Sequence, residues 1–285
     1  MGSLGQNVDV TVGVLALQGA FNEHVQLLRE AAQTIATTDM DQRSWTFKEV
    51  RNKLELASCD ALIIPGGEST AISLVAQRCN MLEPLRDFVK VLRKPTWGTC
   101  AGLILLAEAA NQTKKGGQEL IGGLDVRVNR NHFGRQIESF QANLDLPFLK
   151  TAGKDFDTAQ KPFRAIFIRA PIVEKVLPTV TGVQEDEAQL EETVIAPSRK
   201  IAQGVAKDIK LADVEIMATL PGRAAAVKDD EAKERLDAEA GDIIAVRQAN
   251  VFGTSFHPEL TGDPRIHGWW LAQVAEAVDR RRHIS

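Results

Sequence analysis

The chain has 285 residues, enough to bury a substantial core as one large domain or two small ones. Its apolar and charged fractions, 44% and 25%, suit a globular protein, and a formal charge of −4 gives no general attraction to nucleic acid or anionic membranes. No apolar run reaches membrane-spanning length, so no transmembrane helix is expected.

The opening "MGSLGQNVDV" has neither a basic segment nor an apolar core, and no signal peptide is expected there. Its Gly2 suggests myristoylation, but Gln6 stands where Ser or Thr is required. Residues 8–19, "VDVTVGVLALQG", predict a buried strand ending in a glycine turn, and "NEHVQLLREAA" follows with helical spacing. "CDALIIPGGEST" repeats the pattern: an apolar strand, a Pro-Gly-Gly turn, then Ser-Thr opening a helix to about residue 77. Residues 81–92 predict a further amphipathic helix, and "KPTWGTCAGLILLAEAA" a third strand, sharp turn and helix. Shorter β-like segments come later, "LDVRVNR", "ESFQANLDL", "RAIFIRAP", "VEIMATL", "DIIAVRQ" and "VFGTSFHPE", before a closing helix "HGWWLAQVAEAVDRR".

Strand alternating with helix implies βαβ units, hence an α/β, doubly wound, mostly parallel sheet covered on both faces. In such sheets working residues collect at the carboxyl ends of strands, where the glycine-rich turns fall. Residues 183–213 and 223–241 are rich in Glu, Asp, Lys and Ala and read as surface insertions in a single domain spanning 1–285. Cys59, Cys79 and Cys100 form no CxxC pair, so a disulfide scaffold or zinc site is not expected and a reducing, cytoplasmic setting is.

Gly98-Thr99-Cys100-Ala101-Gly102 has the form of a nucleophile elbow built on cysteine. The following helix N-terminus favours a thiolate, Ala101 N–H is a natural oxyanion donor, and Gly67 N–H supplies the second. A buried structural cysteine before a helix fits the same pentapeptide about as well when it is taken alone. Cys59 and Cys79 fit that plainer description and serve as internal controls. A thiol that cleaves an amide needs a base, and the base an orienting group. Of five histidines, His257 ends a strand, is followed by Pro258, which stops ladder pairing, and has Glu259 two residues on. His24 lies on the first helix, His132 in a polar loop, His267 at the start of the last helix and His283 in the tail.

Taken together, "GTCAG" and "HPE" resemble the triad glutaminases, the class I glutamine amidotransferases, with their flavodoxin-like fold. More narrowly, "GVLALQGAFNEH", "IIPGGEST", "RNHFGRQIESF", "FIRAP" and "GTSFHPEL" resemble the glutaminase subunit of pyridoxal 5′-phosphate synthase. The resemblance covers most of the chain apart from residues 32–56 and the two insertions. It implies hydrolysis of L-glutamine to glutamate and ammonia, with the ammonia passed to a separate synthase subunit that makes pyridoxal 5′-phosphate, the vitamin B6 cofactor. It implies Cys100 as nucleophile, with His257 and Glu259 completing the relay. Gly67, Glu68, Ser69, Arg130, Ile168 and Arg169 would bind glutamine, with Gln18 close by. The chemistry suits: a carboxylate of the substrate wants a guanidinium or backbone N–H groups, and its ammonium a carboxylate such as Glu68. A surface ion pair is the alternative for Arg130 and Arg169. No metal or redox cofactor is required. Two rivals stand beside this reading, a glutaminase feeding another synthase and a glutaminase-like regulatory module without catalysis.

Overall fold

Period-two burial along the apolar runs decides the architecture. Strand β1 (Asp9–Leu15) sends Val10, Val12 and Val14 to one face, where helix α1 (Phe21–Ala36) covers them with Val25, Leu28 and Ala31. Strand β2 (Ser44–Val50) and helix α2 (Lys53–Ala57) follow, the helix opened by a reciprocal cap in which Asn52 Oδ1 accepts from Leu54 and Glu55 N–H, both at 3.0 Å. Strand β3 (Ala61–Ile64) turns Ala61 and Ile63 towards the first core and Leu62 and Ile64 towards a second core on the opposite face. Helix α3 (Ser69–Arg78) and helix α4 (Leu82–Arg86), which continues as a π-helical stretch over Asp87–Val91, supply Ile72, Ala76, Leu85, Phe88 and Val89 to that second core.

Strand β4 (Thr96–Thr99) leads through Cys100 into helix α5 (Ala101–Leu106), and strands β5 (Ala107–Asn111) and β6 (Leu124–Asn129) come next. The later strands are β7 (Ser139–Leu144), β8 (Phe163–Ile168), β9 (Ile172–Val176), β10 (Thr193–Ile195), β11 (Glu215–Leu220), β12 (Asp242–Gln248) and β13 (Val251–Thr254). A 3₁₀ turn at Pro258–Leu260 precedes the long helix Arg265–Ile284, which packs on α1. A computed structural model describes residues 9–36, 43–111, 118–130, 139–150, 161–180, 182–206, 209, 212–220 and 242–284.

Strands β2-β1-β3-β4-β13 form a parallel centre, as the alternating pattern predicts. The sheet continues through β12, β9, β6, β5 and β10; β5 and β6 are parallel, the other neighbours in this flank are antiparallel, and β11 pairs with β12. Strands β7 and β8 make a separate antiparallel ribbon. Among the described residues no helix is long and apolar enough to cross a membrane.

One predicted element changes, and strands form in two stretches where none was predicted. The sequence carries the helix after Cys100 through "AEAA", whereas α5 stops at Leu106 and those residues enter β5. Alanine and glutamate favour a helix locally, but pairing with β6 and burial of Ala109 and Ala110 override that weak preference. Residues 44–50, passed over in the sequence, form the edge strand β2. Within 183–213, Thr193–Ile195 pairs with β5, and Glu187 accepts from Arg127 Nη1 at 2.7 Å and Lys175 Nζ at 3.1 Å, so this stretch adds a strand to the sheet edge. Residues 223–241 lie outside the described residues.

Candidate active site

The carboxyl ends of β1, β3, β4 and β13 carry Gln18, the Gly66-Gly67-Glu68 turn, Cys100 and the His257–Glu259 turn respectively. Parallel pairing of these strands brings segments far apart in sequence to one edge.

Cys100 is the tightest point. Its backbone has φ +48° and ψ −100°, a left-handed conformation that a non-glycine residue adopts under strain, and its N–H donates to Thr254 O at 2.8 Å. The elbow closes because Gly102 has no side chain: a Cβ there would fall 2.1 Å from Ile64 O. Cys100 is 6% exposed, its thiol lies 3.9 Å from Ile168 O, and it is near enough to the His257 side chain to act on that ring's charge. Cys59 differs throughout: its thiol donates to Glu55 O at 3.2 Å, and burial pushes its pKa up to about 11. Cys79 ends α3 on the surface.

His257 is held from both sides. Its backbone N–H donates to Ile166 O at 2.8 Å, fastening the β7–β8 ribbon to the site, and its Nδ1 lies 2.8 Å from Glu259 Oε1. Burial alone would depress its pKa; the neighbouring Cys100 and Glu259 side chains outweigh that and raise it to about 10. An imidazolium beside a thiol is the arrangement that favours a thiolate. Gly66 makes the ring's position available, since a Cβ at Gly66 would sit 2.3 Å from His257 Cε1.

The predicted binding residues form a second group beside the first. Gln18 Oε1 accepts from Glu68 N–H at 2.9 Å, and Ala20 N–H donates to Gly66 O at 3.1 Å, so Gln18 shapes the glycine turn. Glu68 caps α3, accepting from Thr70 N–H at 3.0 Å and Ala71 N–H at 2.6 Å, with Arg130 Nη2 at 4.0 Å. Arg130 Nη2 donates to Ser69 Oγ at 3.0 Å and Thr70 Oγ1 at 3.1 Å; burial lowers its pKa and Glu68 opposes the shift. Ile168 contributes its carbonyl beside Cys100 Sγ, and Arg169 follows at φ +45° with an exposed side chain. The rest of "RNHFGRQ", including His132, lies outside the described residues.

Two histidines that the sequence left without a role come to the site. His24 and His267 are fully buried; His24 Nε2 stands 3.4 Å from Glu259 Oε2 and 3.3 Å from Thr99 Oγ1, and His24 Nδ1 stands 2.9 Å from His267 Nε2. Helical spacing carried a signal, because His24 falls in line with Phe21, Val25, Leu28 and Ala31 on the inward stripe of α1. Gln118 was also missed: its Oε1 accepts from Ser69 Oγ at 3.3 Å and Thr70 Oγ1 at 3.4 Å.

A family model described as the SNO glutamine amidotransferase family matches residues 14–205 and 199–276. A probable pyridoxal 5′-phosphate synthase subunit PDX2 from Arabidopsis thaliana is 38% identical over 268 residues, covering 94% of this chain and 87% of the relative. A pyridoxal 5′-phosphate synthase subunit PdxT from Streptomyces avermitilis is 39% identical over 263 residues, covering 92% and 93%. A crystal structure of a glutamine amidotransferase superposes with a TM-score of 0.57 at 31% identity, covering 93% of this chain and 98% of the other.

Proposed function

Because the chain belongs to the SNO glutamine amidotransferase family, we propose that it hydrolyses L-glutamine to L-glutamate and ammonia on the Cys100–His257–Glu259 constellation. The observation that carries this reading is the meeting of Cys100, His257 and Glu259 at the ends of the parallel strands, with His257 Nδ1 2.8 Å from Glu259 Oε1 and Cys100 and Glu259 together raising the pKa of His257.

His257 holds the proton taken from Cys100, leaving a thiolate at the mouth of α5. The sulfur attacks the side-chain amide carbon, and Ala101 and Gly67 N–H groups receive the oxyanion. His257 gives its proton to the departing nitrogen, which leaves as ammonia, and a thioester joins the acyl group to Cys100. The same imidazole then takes a proton from water; hydroxide adds to the thioester, and glutamate leaves as the thiol is restored. Arg130 meets the substrate α-carboxylate, Glu68 its ammonium, and Ser69, Ile168 and Arg169 line the same pocket, with Gln18 holding the turn.

The recipient of ammonia in this proposal is a separate pyridoxal 5′-phosphate synthase subunit, in keeping with the names of the relatives, and the setting is cytoplasmic, in keeping with three free cysteines. A single domain spanning residues 1–285, with 183–213 and 223–241 as surface insertions into the compact family core, completes the proposal.

The test is ammonia release from glutamine with and without the synthase subunit. Wild type should respond strongly to the partner, and Cys100→Ala should lose at least about 10⁴-fold in kcat. Ammonia release that survives Cys100→Ala would overturn the chemistry. A glutamine-analogue diazoketone should label Cys100, whereas label elsewhere or nowhere in the complex would favour a silent binding module.

A further inference from the structure

The reading above uses one oxygen of Glu259. The other, Oε2, is buried without a hydrogen-bond partner among the described residues, and His24 Nε2 stands 3.4 Å from it. Two oxygens face that nitrogen: Thr99 Oγ1, a hydroxyl that suits either role, and Glu259 Oε2, a carboxylate oxygen that only accepts. The proton of a neutral His24 therefore belongs on Nε2, which leaves Nδ1 as a bare acceptor. His267 Nε2, 2.9 Å from Nδ1, must then be the donor, and His267 Nδ1 must be bare. His267 Nδ1 is indeed buried and unpartnered, the state expected of a lone pair rather than a stranded N–H.

The geometry points to His24 as a positioning residue for this reaction: its neutral ring, set in one tautomer by His267, holds the Glu259 carboxylate in the orientation that grips His257. This inference rests on the reading of Glu259 as the partner of His257.

Three observations support it. Both rings are fully buried against Trp97, with ring centres 5.6 Å and 5.0 Å from the indole in edge-on contact, so neither can swing to another partner without unpacking the core. The titratable groups facing His24 are His267 from the long helix, and His257 and Glu259 from the strand-end turn. Burial first, then the two histidines, hold His24 well below its ordinary pKa, and burial holds His267 near 3, so both stay neutral.

The test compares His24→Ala, His24→Gln and His24→Asn in the complex with the synthase subunit, alongside wild type and Cys100→Ala. A glutamine nitrogen reaches the place of His24 Nε2, whereas an asparagine nitrogen reaches only that of Nδ1. Expected is a fall in kcat of about tenfold to a hundredfold for His24→Ala, with KM nearly unchanged. The alkaline limb of the pH profile should move down, since a less well held carboxylate supports the imidazolium less. Glutamine should restore both, and asparagine neither. Equal behaviour of the glutamine and asparagine variants, or an unmoved alkaline limb, would overturn the proposal. Nitrogen NMR of wild type labelled in histidine decides independently of whether the variants fold: a neutral Nε2–H tautomer of His24 is expected, and an Nδ1–H tautomer would refute it. Activity retained by Cys100→Ala would instead sink the glutaminase reading itself.

Discussion

Two glutamates lie equally deep in this protein and are treated in opposite ways. Glu108, on β5 in the flank of the sheet, is 6% exposed; Glu259, at the end of the parallel centre, is 4% exposed. Glu108 is satisfied on every side: Lys90 Nζ lies 2.7 Å from Oε1 and 2.8 Å from Oε2, and Gly123 N–H adds a bond of 2.7 Å. Glu259 has one firm bond, from His257, and one long approach, from His24. Burying charge is expensive unless it is paired, and Glu108 shows the ordinary remedy, a full countercharge with backbone support. Glu259 is given a titratable ring instead. A lysine there would fix the carboxylate but would leave nothing to exchange a proton with the thiol. On the proposed reading, the difference separates a group built to hold still from one that would support a moving proton.

The comparison can be broken most severely at Glu259. Glu259→Gln keeps the shape but removes the charge and allows the wrong imidazole tautomer, so kcat should fall by about 10³- to 10⁴-fold with the fold intact. The pH dependence should change too. Because the folded pKa of His257 is raised from 6.5 to about 10, its proton stabilises the fold fully below about pH 6.5, and that contribution is lost as pH rises through about 10. In Glu259→Gln the loss should come at lower pH, which thermal melts across this range will read; an unshifted profile would contradict the role given to the carboxylate.

Glu108→Gln should do the reverse. It leaves the buried Lys90 ammonium without its countercharge, with Pro197 O still accepting from it at 2.8 Å, so urea titration should show a loss of about 3–5 kcal/mol, while kcat of the folded protein stays near wild type. A large fall in kcat at matched folding would erase the distinction. The smallest effect is expected when the pair goes together. Lys90→Met with Glu108→Leu leaves Gly123 N–H without its acceptor, a loss of about 1–3 kcal/mol, less than the single change. A double variant less stable than Glu108→Gln would show that the pair contributes more than mutual neutralisation.

The same contrast explains what the amino-acid order made visible. The middle of the centre was legible because its strands lead into turns with unusual residues, Gly66-Gly67 after β3, Cys100 after β4, His257-Pro258 after β13, whereas the edge strand β2, "SWTFKEV", offers neither an apolar run nor such a turn. The flank was not, because "AEAAN" has local helix preference and becomes strand only by pairing with β6 and β10. Cys100 and His257 stood out by their local frames. His267 did not, because its value lies in meeting a ring 243 residues away, a relation no short window contains. Glu68 was legible as a residue of the site, but its cap on α3 follows from the helix starting at Ser69. Residues 183–213 looked like an appendage because they are charged, yet three of them complete a sheet edge.

The packing of the His257 ring directly on Gly66 has a consequence for how arrival and reaction would be coupled on the proposed reading. With His257 Cε1 only 2.3 Å from where a methyl would begin, loop and imidazole share a single slot. A guest that pushed the loop inward would press on the ring, and a tilt of the ring would be felt at the loop. Occupancy and reactivity would then share one mechanical coordinate, with the missing methyl as the clearance that lets the gear turn.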